Sequence, residues 1–160
     1  MEKPALKQFE LSWIFIRAMT IDFIKSVPDE YWMASPHPDY SSFAKQARHM
    51  VWISGLYNDA LKNKKINLEN KKNCFNGELD RIKIINNLNK QDLILKNFLQ
   101  NISHQEADSY EMDFFGTKIG LYEFLNNMIQ HESIHHGIWT FYAKSSGYQT
   151  PKTWQSNWKL

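Results

Sequence analysis

The chain has 160 residues, of which 42% are hydrophobic and 14% aromatic, and it carries a formal charge of +2. This is the composition of a single globular domain, 1–160, long enough to bury a sizeable core, and not of a disordered segment. Lys and Arg form no basic stripe, no run reaches the roughly 18 apolar residues of a membrane span, and the lone Cys74 allows no internal disulfide, so the expected setting is a reducing cytoplasm without nucleic-acid or membrane partners.

Met1–Lys7 leads directly into an amphipathic segment containing Glu10 and Arg17, which is not the pattern of a secretory leader. Phe9, Trp13, Ile16, Thr20, Phe23 and Ile24 recur at spacings of three and four, which predicts a first helix from about Leu6 to Val27, ended by Pro28. The stretch 28–40 reads as a loop broken by Pro36 and Pro38. Ser41 or Ser42 then caps a second helix reaching about Leu61, with Phe43, His49, Met50, Ile53, Leu56 and Tyr57 on its apolar side. A polar connection, 62–77, contains Cys74. The third helix is expected from about Asp80 to Ile102, with Ile82, Ile85, Leu88, Leu95, Leu99 and Ile102 facing inward. "YEMDFFG" (110–116) reads as an extended arm. Thr117 is the expected cap of a fourth helix, Lys118 to Ser146, which Gly147 ends as a left-handed cap. The tail that follows holds Trp154 and Trp158 and is expected to fold back. The pattern predicts an all-α four-helix bundle with long connections, no regular sheet and an aromatic tail packed on it.

The fourth helix carries "HESIHH" (131–136). His131 and His135 are four residues apart and leave the helix on one face, which continues as Phe124, Met128, Ile138 and Tyr142. Asn127 lies one turn before His131 on the same side. Two imidazoles thus look into the core, where each needs a hydrogen-bond partner or a metal. Neutral imidazole suits zinc, nickel, copper or iron, and a pair at this spacing can chelate one ion.

His131, Glu132 and His135 also match the zinc-protease motif H-E-x-x-H, but no Asp, Glu or His follows Gly137 to supply a third ligand. "ESIH" fits one half of a di-iron bundle site, yet no other His has Glu three residues before it. Glu132 lies about 100° round the helix from His131 and need not face an ion. A third ligand must come from His37, His49 or His104. His37 sits between prolines and His104 in a polar stretch, whereas His49 lies mid-helix beside an apolar face. His49 is the expected third ligand.

"QARHMVWI" (46–53), "MIQHESIHHGIW" (128–139), "RAMT" (17–20) and the paired tryptophans of "GYQTPKTWQSNWKL" stand in the order and spacing of one known family. The chain resembles the DinB-like (DinB/YfiT) family over nearly its whole length. That resemblance implies a four-helix bundle with three histidines on one metal, one from the second helix and two from the last. It assigns His49, His131 and His135. His136 stands where the family usually has arginine, and Ile138 where it often has glutamine.

The resemblance further implies a divalent transition metal (zinc or nickel first, iron or manganese next) and a metal-dependent thiol S-transferase or hydrolase acting on a small molecule. The substrate could be a low-molecular-weight thiol, and the assembly a homodimer. The alternative is a stress-related bundle that binds metal without turnover. No protein residue stands out as catalytic. An incoming thiol or water would meet a Lewis acid at such an ion, and Cys74 reads as incidental.

Overall fold

Four long helices carry the fold, and their ends follow local chemistry. The computed structural model describes residues 3–69 and 78–159, so Cys74 lies outside the described residues. Helix α1 spans Pro4–Ser26, with proline in its first turn, where a missing N–H costs nothing. Helix α3, Phe43–Asn63, is capped by Ser42, whose side chain accepts from Lys45 N. Asp80 caps α4, Arg81–Asn101, by accepting from Lys83 N at 2.7 Å. The last long helix, α6, runs Leu121–Ser146 and stops at Gly147, whose φ of 79° is the left-handed conformation that glycine adopts without a Cβ penalty. Short helices fill the connections: α2, Asp29–Trp32, within the loop expected at 28–40, and α5, His104–Asp108, closed by a capping box of Ser103 and Glu106.

The expectation of no regular sheet is overturned. Residues 110–120 form a β-hairpin and not an extended arm leading into a helix. Strands β1, Glu111–Phe114, and β2, Thr117–Gly120, pair antiparallel with Met112 opposite Ile119 and Phe114 opposite Thr117. Phe115 and Gly116 both have positive φ, 54° and 88°, as a tight two-residue turn requires. Gly116 N donates to Asp113 Oδ1 at 2.6 Å. Thr117 therefore starts a strand, and α6 begins only at Leu121. The hairpin also ties down the exit of α3, since Asp113 N donates to Lys64 O at 2.9 Å and Ile66 N to Asp113 O at 3.0 Å.

The long helices close a four-membered ring: α3 packs on α4, α4 on α1, α1 on α6, and α6 on α3. On α4 the inward stripe is Ile84, Leu88, Leu95 and Leu99. Ile82, expected inside, is 69% exposed, and Ile85 is only half-buried. The aromatic tail folds back as expected. Helix α7, Lys152–Trp158, buries Trp154 completely, with Nε1 donating to Met19 O at 3.0 Å and the ring 4.7 Å from that of Phe23. No described helix is long and apolar enough to cross a membrane.

The apolar core is divided in two. One cluster holds Leu6 to Ile16 of α1 with Leu95, Leu99 and Met128, and the other holds Met19 to Val27 with Ile84, Leu88, Trp139 and Trp154. Between them along α1, α4 and α6 lie Arg17, Asp92, His131, Glu132, His135 and His136. A polar layer thus crosses the middle of the bundle, and the histidines belong to it.

Candidate metal centre

His49 leaves α3 toward α6, and His131 and His135 leave α6 toward α3. One ligating atom from each of the three lies within 4.8 Å of those of the other two, and all three residues are half-buried. The ring centroids are 5.6 Å apart for His49 and His131, 5.2 Å for His49 and His135, and 4.8 Å for His131 and His135. No pair is stacked, with interplanar angles of 58°, 42° and 66°. Among the described residues this is the one group of His, Cys, Asp or Glu with metal-ligand spacing, and it contains no carboxylate.

The rings are held in the neutral form that binds metals. Burial lowers the pKa of His49. It lowers His131 to about 4, helped by His49, and His135 to about 3, helped by His131, His49 and His136. The Nδ1 atoms of His131 and His135 are buried without a hydrogen-bond partner in the protein. Such an unsatisfied buried polar atom costs about 1–3 kcal/mol. Two orphaned nitrogens within a cluster of three neutral imidazoles fit a divalent transition ion in chemistry and in number of donors. Neighbouring rings wall the cluster: Trp52 lies 5.4 Å from His49, and Tyr57 meets His131 edge-on at 6.0 Å.

The other candidate histidines lie elsewhere. His37 has a 55% exposed side chain beside Asp39, and the 47% exposed His104 lies 2.9 Å from Asp108. Neither joins the cluster.

Glu132 points away from the triad, toward α1. Its Oε1 accepts from Arg17 Nη1 at 2.9 Å and from the Thr20 hydroxyl in a short contact. Thr20 Oγ1 also lies 2.8 Å from His136 Nε2. A hydroxyl has one proton to give. With that proton on Glu132, the His136 Nε2–H donates to Thr20. Arg17 continues outward, donating from Nε to Asp92 Oδ1 at 3.1 Å and from Nη2 to Ser54 Oγ at 2.8 Å, while its guanidinium lies 4.7 Å from the centre of the Trp13 ring. Burial raises the pKa of Glu132 against the pull of Arg17 and Thr20. Burial lowers that of His136 to about 3, with Arg17 adding to the effect. Sequence reasoning did not find this network. Its one signal was Arg17 itself, a full charge inside the apolar stripe of the first helix.

The family model of the DinB family matches residues 1–157. Among solved structures, the fold is similar to that of a DinB-like protein from Bacillus cereus, at a TM-score of 0.73 and 19% identity over 91% of this chain and 95% of that one. It is also similar to the DinB-like protein YjoA of Bacillus subtilis, at 0.67 and 18% identity over 90% and 94%. At these identities the structural likeness is one of fold. No curated protein sequence matches the chain.

Proposed function

The chain belongs to the DinB family, and we propose that His49, His131 and His135 hold one divalent transition ion, zinc or nickel before iron or manganese, at an open centre serving thiol S-transfer or hydrolysis of a small molecule. The observation that carries this reading is the cluster of three half-buried neutral imidazoles with no carboxylate among them. A divalent ion held by three neutral ligands keeps its full charge and a free position, and it acidifies a bound thiol or water toward neutral pH. The protein's own part is to present the three nitrogens, keep them unprotonated by burial, and wall the approach with Trp52 and Tyr57.

No protein nucleophile enters the proposal. Ser54 gives its proton to Met50 O at 2.7 Å and accepts from Arg17, and the exposed Ser133 is bonded back to Ile129 O at 2.9 Å. A metal-binding bundle without turnover is the second reading. It is favoured by the engagement of Glu132, the carboxylate beside the ligand histidines, with Arg17 and Thr20, which keeps it from serving as a general base.

The proposed assembly is a homodimer. Its support is an uncharged cleft of about 530 Å³ on the outer side of α1 and α6, lined by Phe15, Ile16, Met19, Ile129 and Trp158 among others. Sedimentation of the parent and of Phe15→Glu tests this. A dimer that the charge dissociates is expected, and a parent sedimenting only as a monomer of about 19 kDa overturns it. For the centre, chelated protein is titrated with zinc and with nickel and its bound metal counted. One equivalent is expected, and a protein that takes up none removes the reading.

A further inference from the structure

Two buried polar bridges link α3 to α6 on either side of His49 and His135, the second of them through Arg17 of α1 and adjoining His131. On one side is Gln46, one turn before His49 and 8% exposed. Its Nε2 donates to the Tyr142 hydroxyl at 2.6 Å, and its Oε1 accepts from Trp139 Nε1 at 3.2 Å. Trp139 lies one turn beyond His135 and is wholly buried. The Tyr142 hydroxyl in turn donates to Ser41 O at 2.5 Å, just ahead of α3. On the other side is Ser54, beyond His49 on α3, reached by Arg17 Nη2 at 2.8 Å while Nη1 of the same guanidinium holds Glu132 at 2.9 Å. The pairings run antiparallel, Gln46 with Trp139 and Ser54 with Glu132. His49 therefore falls opposite the stretch of α6 between the two bridges, where His135 lies.

Apolar packing alone tolerates small slides of one helix along another, because it is non-directional. A buried hydrogen bond does not, because a displaced donor is left unsatisfied. A metal centre needs its ligands held to within roughly 0.5 Å. Those of this triad come from two helices.

We propose that Gln46 and Arg17 are positioning residues of the centre: the Gln46–Trp139–Tyr142 bridge and the Ser54–Arg17–Glu132 bridge fix the register and spacing of α3 against α6, so that His49 meets His131 and His135. The inference rests on the reading of the triad as a metal site. Arg17 has a further consequence, because it also donates to Asp92 of α4. One guanidinium from α1 thus aligns the three other long helices at the level of the triad. A rigid planar fork of donors does this where a lysine ammonium cannot.

The test uses Co²⁺, whose visible absorption reports the geometry of its ligands. Chelated full-length protein is titrated with Co²⁺ for the parent, Gln46→Met, Ser54→Ala, the double variant and Arg17→Lys. Leu99→Ala, at the far end of α4, controls for general loss of stability. The double variant and Arg17→Lys are expected to weaken Co²⁺ binding by roughly tenfold or more and to shift the absorption bands, with helical circular dichroism unchanged. Each single variant should move the bands in the same direction, so the test survives a double variant that fails to fold. Leu99→Ala should stay within about twofold of the parent with an unaltered spectrum. Parent-like affinity and spectra in the bridge variants would overturn the proposal, as would an equal loss in Leu99→Ala. A parent that binds no Co²⁺ would instead refute the metal reading, and the positioning role with it.

Discussion

Arg17 and Glu132 meet at 2.9 Å with side chains only 3% and 2% exposed. Taking two charges out of water is expensive, and the pair is tolerable because all three guanidinium nitrogens of Arg17 and Oε1 of Glu132 find partners. Glu132 has the Thr20 hydroxyl as well, and Arg17 has Asp92 and Ser54. The pair spans the helices that carry the two halves of the core, so its loss should be felt as global stability.

Arg17→Met is therefore expected to destabilise the metal-free protein by about 3–5 kcal/mol, the range for a buried ion pair broken from one side. It leaves Glu132 buried with Thr20 as its remaining partner. Glu132→Gln should lose less, because its amide oxygen still accepts from Thr20 and Arg17 retains Asp92. Denaturant titrations of the chelated proteins measure both. Arg17→Met unfolding at the parent's midpoint would show that the pair contributes little.

The ligand set is checked by single substitutions. His49→Ala, His131→Ala and His135→Ala should each lose most bound metal, while the helical spectrum persists. His37→Ala and His104→Ala should retain one equivalent, because both side chains are exposed and outside the cluster. The decisive variant is His49→Ala, since His49 is the ligand not supplied by the motif on α6. Full metal content in that variant would remove α3 from the site.

The bundle was legible in the sequence because its apolar spacing is long and regular, and because Ser42, Asp80 and Gly147 mark ends that the folded chain uses. The hairpin was not. Each strand has four residues and one buried side chain, Met112 or Ile119, too short a pattern for a period of two to stand out. The inward stripe of α4 was misjudged near its start because Ile82, Ile84 and Ile85 offer two competing faces, and only Ile84 is fully buried. The three histidines that the structure brings together were legible. His131 and His135 follow from helical spacing, and His49 from a histidine set among apolar neighbours. The partner of Glu132 was not, since nothing local connects position 132 to position 17.

Acid should weaken the metal-free fold earlier than the ordinary carboxylate range. His131 is held at about 4, and His135 and His136 at about 3, against the ordinary histidine value of about 6.5 in an unfolded chain. Between these limits the unfolded chain binds protons that the folded one refuses, so stability rises with pH across that window. The contribution is fully present above about pH 6.5 and fades as pH falls toward 4. Thermal unfolding of chelated protein at pH 7.5, 6 and 5 should show a falling midpoint, with a shallower fall in His135→Leu. A midpoint flat from pH 7.5 to 5 would contradict the burial of these rings as neutral groups.

If the centre turns over a small molecule, the reacting group should be one bound at the ion and not a side chain. A serine or cysteine nucleophile needs a base within hydrogen-bond reach. His49, His131 and His135 are committed to the cluster, His136 is bonded to Thr20, and Glu132 is held by Arg17. Cys74 lies in the polar connection between α3 and α4, with no base beside it in sequence. Activity toward a thiol and an electrophile, or toward a hydrolysable substrate, should therefore vanish on chelation and return with added zinc or nickel. Cys74→Ser should leave the rate within about twofold, which is roughly 0.4 kcal/mol in the barrier. A Cys74→Ser protein that carries its full equivalent of metal yet has lost its activity would transfer the nucleophile to the chain and end the metal-centred mechanism.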